Sequence, residues 1–303
     1  MNTQTHRNVG LSLLMAGLGC GHASAGTIAH WSFEGPVDAN VASGGDADGT
    51  YSDDILDQSG NGNHLGVWSE GGGAGFAYRA DTPNTAGNGT SIQNTGGSPA
   101  AWNESLAAWN PSTFTFEAFI KPEETDGFRT IIGRDSQGGS SGDANLAAMY
   151  FQITNTDVLA FKFLDNDGNW HEALGDFDPI AGWDFATGSP DDIDWIHIAA
   201  TSDGSNLNLY INHQQVAFAS LGGGDTALST GTGTGSDWTA GHFSVARGLY
   251  GGGHGDRAWG LIDEIRISDE ALTPDQFLQL VPEPGTLSLS VLAMAGFLRR
   301  RRN

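Results

Sequence analysis

Thr113-Phe114-Thr115-Phe116-Glu117-Ala118-Phe119-Ile120-Lys121 decides the architecture. In an extended chain successive side chains point to opposite faces, so Phe114, Phe116, Ala118 and Ile120 share one side while Thr115 and Glu117 take the other. One face is therefore core. Similar short runs of β-branched and aromatic residues occur at Thr27 to Phe33, Thr130 to Gly133, Ala148 to Thr154 and Val158 to Leu164. More follow at Trp195 to Ser202, Leu207 to Ile211, Gln215 to Ala219, Phe243 to Ala246 and Leu261 to Ser268. The 45 glycines collect between these runs, as in Gly222-Gly223-Gly224 and Gly251-Gly252-Gly253, which is the punctuation of strands joined by turns. Ten strands without a long helical period predict an all-β fold of two packed antiparallel sheets.

Local signals refine this outline. Leu207 to Ser220 reads as a hairpin turning at Asn212-His213. Thr273 as N-cap, Pro274 at the first helical position and Gln276 three after the cap predict one short C-terminal helix that closes the domain. Gly35 to Ala108 is rich in Gly, Ser, Asn and Asp and reads as long loops with one or two strands.

The two ends have a different texture. Residues 1–25 lack acidic groups, carry Arg7, run apolar from Val9 to Leu18 and finish on Ala23-Ser24-Ala25, a secretory signal peptide cut between Ala25 and Gly26. Cys20 follows Gly17 where a lipoprotein box resembles an aliphatic residue, so lipidation is the minor reading. At the other end Pro282, Glu283 and Pro284 precede an apolar run, Leu287 to Leu298, and then Arg299, Arg300, Arg301 and Arg302. A dozen apolar residues is short for a bilayer that needs about 20, while the arginines would hold that end on the cytoplasmic side. Motif, apolar segment and arginine cluster together resemble the PEP-CTERM sorting signal of Gram-negative bacteria. The resemblance implies processing near residues 282–284 by an exosortase-type membrane protease, after transient attachment to the inner membrane. The organisation expected is signal peptide 1–25, domain 26–281 and sorting tail 282–303, secreted or sorted to the cell surface.

Once both ends are removed the chain has no cysteine, so its stability must come from a large core or bound metal. Without Arg7, Arg299 to Arg302 and Glu283 it keeps 8 basic and 35 acidic residues, a net charge near −27. Nucleic acid and anionic lipid are poor partners for such a surface, so membrane contact is expected only through the tail. The carboxylates keep the chain soluble outside the cell, and some could hold Ca²⁺, which takes six to eight oxygens.

Several segments in order resemble the laminin-G-like, concanavalin A-like jelly-roll family: His30-Trp31-Ser32-Phe33-Glu34-Gly35, Asp57-Gln58-Ser59-Gly60-Asn61-Gly62-Asn63-His64, the Phe114 to Pro122 strand, Trp195 to Thr201 with its hairpin, and Gly260-Leu261-Ile262-Asp263-Glu264-Ile265-Arg266-Ile267. That family is a β-sandwich, usually a binding module and often with Ca²⁺ beside the sheets. Carried over, the resemblance implies Asp263 as a side-chain ligand, with oxygens around Glu34 and the Asp57 to Asn63 turn. The residues themselves leave two readings open. Asp263, placed on the face of Leu261 and Ile265, would be costly unless bonded or bound to a cation, whereas Asp57 and Asn63 fit either a calcium loop or an Asx-type turn.

No strand carries the paired carboxylates about 5 Å apart that retaining glycosidases use. Glu117 has no acidic neighbour two residues away, and Asp192-Ile193-Asp194 precedes a strand as solvated loop charge. Gly138-Gly139-Ser140-Ser141-Gly142 fits G-x-S-x-G only as letters, with no strand before it and no helix after. Asp165-Asn166-Asp167-Gly168-Asn169 imitates an EF-hand opening, yet Trp170 stands where glycine is required, so a β-turn is the reading. The histidines show no metal-ligand spacing, and several tryptophans must be core while others could form a sugar-stacking platform. The expectation is a non-catalytic binding module for extracellular glycan or matrix. A glycan-active enzyme using loop carboxylates and a structural matrix protein are the alternatives.

Overall fold

A computed structural model of the chain describes residues 26–41, 53–69, 75–123, 127–136, 147–177, 194–235 and 238–281. The signal segment with Ala25, the tail with Pro282, Glu283, Pro284 and Arg299 to Arg302, the Gly138 to Gly142 segment and Asp192 lie outside the described residues. The alternating run around Phe116 forms β6 (Thr113–Pro122). It is a central member of an antiparallel eight-stranded sheet that also contains β1 (Thr27–Trp31), β3 (Phe76–Arg79), β4 (Ser91–Asn94), β11 (Ile196–Asp203), β12 (Asn206–Ile211), β13 (Gln214–Ser220) and β17 (Gly260–Ser268). The order is β13-β12-β11-β6-β17-β4-β3, with β1 also beside β17. A seven-stranded sheet faces it, ordered as β10 (Trp170–Asp176), β9 (Val158–Leu164), β8 (Met149–Ile153), β7 (Arg129–Arg134), β14 (Phe243–Val245), β5 (Pro99–Asn103) and β2 (Gly66–Ser69). A small hairpin, β15 (Gly248–Tyr250) with β16 (Gly253–Gly255), completes the set.

Alternation places the core between the sheets. Phe114, Phe116, Ala118 and Ile120 meet Met149, Phe151, Leu159, Phe161 and Phe163 in one buried cluster. Phe116 is fully buried, its ring 5.3 Å from Phe114, 5.6 Å from Phe161, 5.8 Å from Phe243 and 6.0 Å from Trp109. Aromatic pairs in tilted or edge-on contact add to simple burial. At one side of the sandwich the outermost strands close on each other. A Cβ on Gly175 of β10 would lie 2.3 Å from Cγ2 of Val216 of β13, so only glycine lets these strands approach so closely.

Three expectations change. The described residues of Gly35 to Ala108 contain four strands, β2 to β5, each only four or five residues long and too brief to show a period. The helix expected at Thr273 is a single turn, with Gln276 N–H donating to Thr273 O at 2.8 Å and Thr273 N–H to Gln276 Oε1 at 2.9 Å. It cannot propagate because the next backbone groups are already taken: Leu278 N–H donates to Glu117 Oε2 (2.8 Å) and Arg266 Nη2 donates to Gln276 O (2.7 Å). Finally, β17 carries a bulge between Asp263 and Arg266, with Glu264 at a φ of 50°. Before the bulge Ile262 faces the core; after it Ile265 and Ile267 do. Asp263 therefore shares the outward side with Leu261 but not with Ile265, as the extra residue of a bulge resets the alternation. The Asn212-His213 hairpin is as expected, both residues having positive φ (47° and 65°) as a type I′ turn requires.

Truncating Phe116→Ala should cost about 3–5 kcal/mol of unfolding free energy in urea titration, with Thr113→Ala on the same strand close to neutral.

Candidate functional site

His30 at the end of β1 joins two polar clusters. Its N–H donates to Asp57 Oδ1 (2.9 Å), and its Nε2 lies 2.5 Å from Glu264 Oε2. Asp57 also accepts Ser59 N–H (2.8 Å), Ser59 Oγ–H (2.7 Å) and Asn63 N–H (3.0 Å). Burial alone would raise this carboxyl, but His30, Ser59 and Asn63 outweigh it and hold it below its ordinary value. Asn63 is equally committed: Nδ2 donates to Ile28 O (2.6 Å), Oδ1 accepts Ser105 Oγ–H (2.7 Å) and its carbonyl accepts Trp31 Nε1–H (2.8 Å). The turn ties the start of the domain to Trp31 and has the bonding of an Asx-type turn.

Asp263 and Glu34 meet in the second cluster, through a loop that crosses the outer side of the eight-stranded sheet. Asn88 Nδ2–H donates to Asp263 Oδ2 (2.8 Å), and Gly89 N–H donates to Glu34 Oε1 (2.9 Å). Thr85 Oγ–H binds Glu264 Oε1 (2.8 Å). Desolvation, with Glu264 and Glu34 adding repulsion, pushes the Asp263 carboxyl up to about 9 despite the bond from Asn88. So raised a carboxyl favours its protonated form at neutral pH. Asn88 Oδ1 is buried without a hydrogen-bond partner. An oxygen-only set of Asp263, Asn88 and Glu34 suits a hard cation such as Ca²⁺, although among the described residues no three His, Cys, Asp or Glu side chains converge for a metal. Asn88, Thr85 and His30 were not legible as site residues. Asn88-Gly89 looked like any polar loop, and only a known register of β17 brings it to Asp263.

The outward side of the seven-stranded sheet offers a different surface. Registers place Glu172, Lys162 and Tyr150 in one row across β10, β9 and β8, and Leu174, Ala160 and Gln152 in the next. Lys162 Nζ stands 4.8 Å over the Trp170 ring. The β15–β16 hairpin covers the neighbouring strip: Leu249 is buried against Tyr150 and Trp238, and Tyr150 Oη–H donates to Leu249 O (2.5 Å). Desolvation raises the Tyr150 phenol, and Tyr250 lies close enough to contribute. Arg247 Nη2–H to Asp135 Oδ2 (3.2 Å) supports the hairpin base. Tyr250, at the hairpin tip, is 68% exposed, and Leu174 is 52% exposed.

Residues 94–277 match the model of the concanavalin A-like lectin/glucanases superfamily, laminin G type. The chain belongs to this superfamily. Residues 280–302 match the PEP-CTERM protein-sorting motif, which marks a surface-sorted or extracellular protein of a Gram-negative bacterium. No curated protein matches the chain. Among solved structures of the superfamily's fold, domain 4 of AbnA, a GH43 extracellular arabinanase from Geobacillus stearothermophilus in complex with arabinotriose, aligns with TM-score 0.51 and 18% identity, over 84% of this chain and 97% of that one. The binding domain of Paraclostridial Mosquitocidal Protein 1 aligns with TM-score 0.50 and 16% identity, over 83% of this chain and 50% of that one. The chain thus spans about half of the latter. These likenesses carry the sandwich fold of the superfamily.

Asp57→Asn should leave the fold intact and flatten its acid limb. The folded pKa lies below the unfolded 3.8, so Asp57 stabilises above that value and the contribution is lost as pH falls below it. Asp57→Ala should cost about 3 kcal/mol in the same urea titrations at pH 7.

Proposed function

We propose that this protein is a non-catalytic binding module for extracellular glycan, exported and sorted through its tail by an exosortase-type protease. The observation that carries the reading is the outward side of the seven-stranded sheet, where half-buried Trp170 under Lys162 shares a strand face with exposed Glu172 and Leu174, and where exposed Tyr250 tips the hairpin over the neighbouring strip. Aromatic faces stack on sugar rings while neighbouring polar groups bond to hydroxyls. A surface with 35 acidic residues outside the two ends favours neutral or basic glycans over acidic ones. Supporting the non-catalytic part, Glu117, the one carboxylate on the deciding strand, is fully buried and engaged by His197 and Arg266, so it cannot reach a substrate.

A polysaccharide array probed with the mature chain checks this. Binding that drops at least tenfold in Tyr250→Ala and Trp170→Ala is expected. Turnover of any bound polysaccharide would establish an enzyme instead, and absence of binding across neutral and basic glycans would leave the matrix-protein reading.

Calcium forms the second part of the proposal, resting on the buried Asn88 Oδ1 and on Asp263. Asp263, Asn88 and Glu34 would hold the ion, with Asp57 and Asn63 supporting the neighbouring turn rather than ligating. The ion would neutralise Asp263 and fasten the loop over the sheet. Because it displaces a proton held up to about pH 9, binding should tighten as pH rises toward that value. Calorimetric melting in Ca²⁺ should show a higher midpoint than in chelator, and Asp263→Asn should remove the difference. An equal midpoint in both for the unmodified chain would discard the metal.

A further inference from the structure

The chain that follows β17 runs back over the outward side of the eight-stranded sheet, fastened along its whole course. Asp269 N–H donates to Gly26 O (2.9 Å), Thr115 Oγ–H to Glu270 O (2.7 Å) and Leu272 N–H to Thr115 Oγ (2.9 Å). Leu272 and Phe277 are buried against Ala199 and Tyr210, and the Phe277 ring lies 5.5 Å from that of His197. Up to Phe277, burial of large apolar side chains does the holding.

The last four residues before Pro282 are held differently. Gln279, Leu280 and Val281 are exposed, so hydrogen bonds rather than burial keep them in place. Leu278 N–H donates to Glu117 Oε2 (2.8 Å) and Leu278 O accepts from His213 Nε2 (3.1 Å). Val281 N–H donates to Asn84 O (2.6 Å), and Val281 O accepts Asn84 Nδ2–H (2.7 Å). Pro282 is the next residue. A protease that reads an extended chain usually bonds to backbone N–H and C=O groups beside the scissile bond. Here those groups at Leu278 and Val281 are already occupied by the domain. The reach is short as well: from Val281 to Leu287, where the apolar run starts, an extended chain spans at most about 20 Å, so a tail seated in a membrane leaves little slack for a second loop of chain.

We propose that Leu278–Val281 is a latch that the tail-processing protease has to open, so that cleavage in the Pro282-Glu283-Pro284 motif competes with the bonds from Glu117, His213 and Asn84. This rests on the sorting function proposed above. The bonds between Val281 and Asn84 are exposed and open at low free energy, whereas freeing Leu278 N–H takes a partner from buried Glu117 and is the costlier step, so the latch sets a processing rate by opening from its Val281 end.

The test is pulse-chase of the full-length chain in a Gram-negative host that carries an exosortase, following loss of the tail. Asn84→Ala removes one bond worth about 1 kcal/mol and should speed tail loss about fivefold; His213→Ala removes the bond to Leu278 O and the longer one from Gln279 Nε2 and should speed it at least as much. A double variant, Asn84→Cys with Val281→Cys, is expected to accumulate precursor when a non-reducing gel shows the cross-link, and to process on adding dithiothreitol; the signal's Cys20 is absent from the exported chain. Unchanged rates in Asn84→Ala and His213→Ala, or a cross-linked chain processed at the wild-type rate, would overturn the latch alone. A wild-type chain that retains its tail throughout would overturn the sorting reading and the latch with it.

Discussion

Glu117 has no exposed surface, yet both its carboxylate oxygens are engaged from three directions: Arg266 on β17, His197 on β11 and the backbone of Leu278 beyond the last strand. Desolvation works against the charge, and the bond from His197, the charges of His197 and Arg266 and the Leu278 N–H more than offset it, holding the carboxyl below its ordinary range. A buried charge with one partner missing is strongly destabilising. The outward side of the eight-stranded sheet can therefore exist in this form only while β6, β11, β17 and the returning chain are all in place. Everything laid over that side, from the loop bearing Asn84 and Asn88 to the residues ahead of the sorting motif, is positioned by this arrangement.

The inner side of the sandwich was readable from alternation alone, because Phe114, Phe116, Ala118 and Ile120 all reach the core as the pattern requires. The outer side was not. Glu117, His197 and Arg266 look like solvated positions on alternating strands, and nothing local shows that Leu272 and Phe277 return to cover them. The bulge at Glu264 was equally hidden, since its effect is to rotate Asp263 away from Ile265 without altering composition. Arg134 makes the same point on the other sheet. Fully buried, with its guanidinium 4.8 Å over Phe243 and its pKa pushed down to about 9 by desolvation, it follows a strand core that ends at Gly133 in the apolar pattern.

For the candidate site the sequence supplied Asp263, Glu34, Asp57 and Asn63 as members of one set, and the fold separates them by chemistry. Asp57 and Asn63 spend their hydrogen-bonding capacity on their own turn and on β1, whereas Asp263 and Glu34 face each other's charge through Asn88 and Gly89. His30 is the physical link between the pairs. The bonds inside the Asp57 to Asn63 turn have the pattern of the Asx-type alternative, and the buried, partnerless oxygen of Asn88 lies on a loop with no period to read.

The close approach of β10 and β13 at Gly175 has a consequence for a surface-sorted or extracellular protein whose single cysteine leaves it no internal disulfide. Outermost strands are where foreign chains add themselves and fibres begin. On the side where β10 and β13 pack against each other, a stray strand meets a closed seam instead of a lone outermost strand, so this rim resists the addition of a foreign chain.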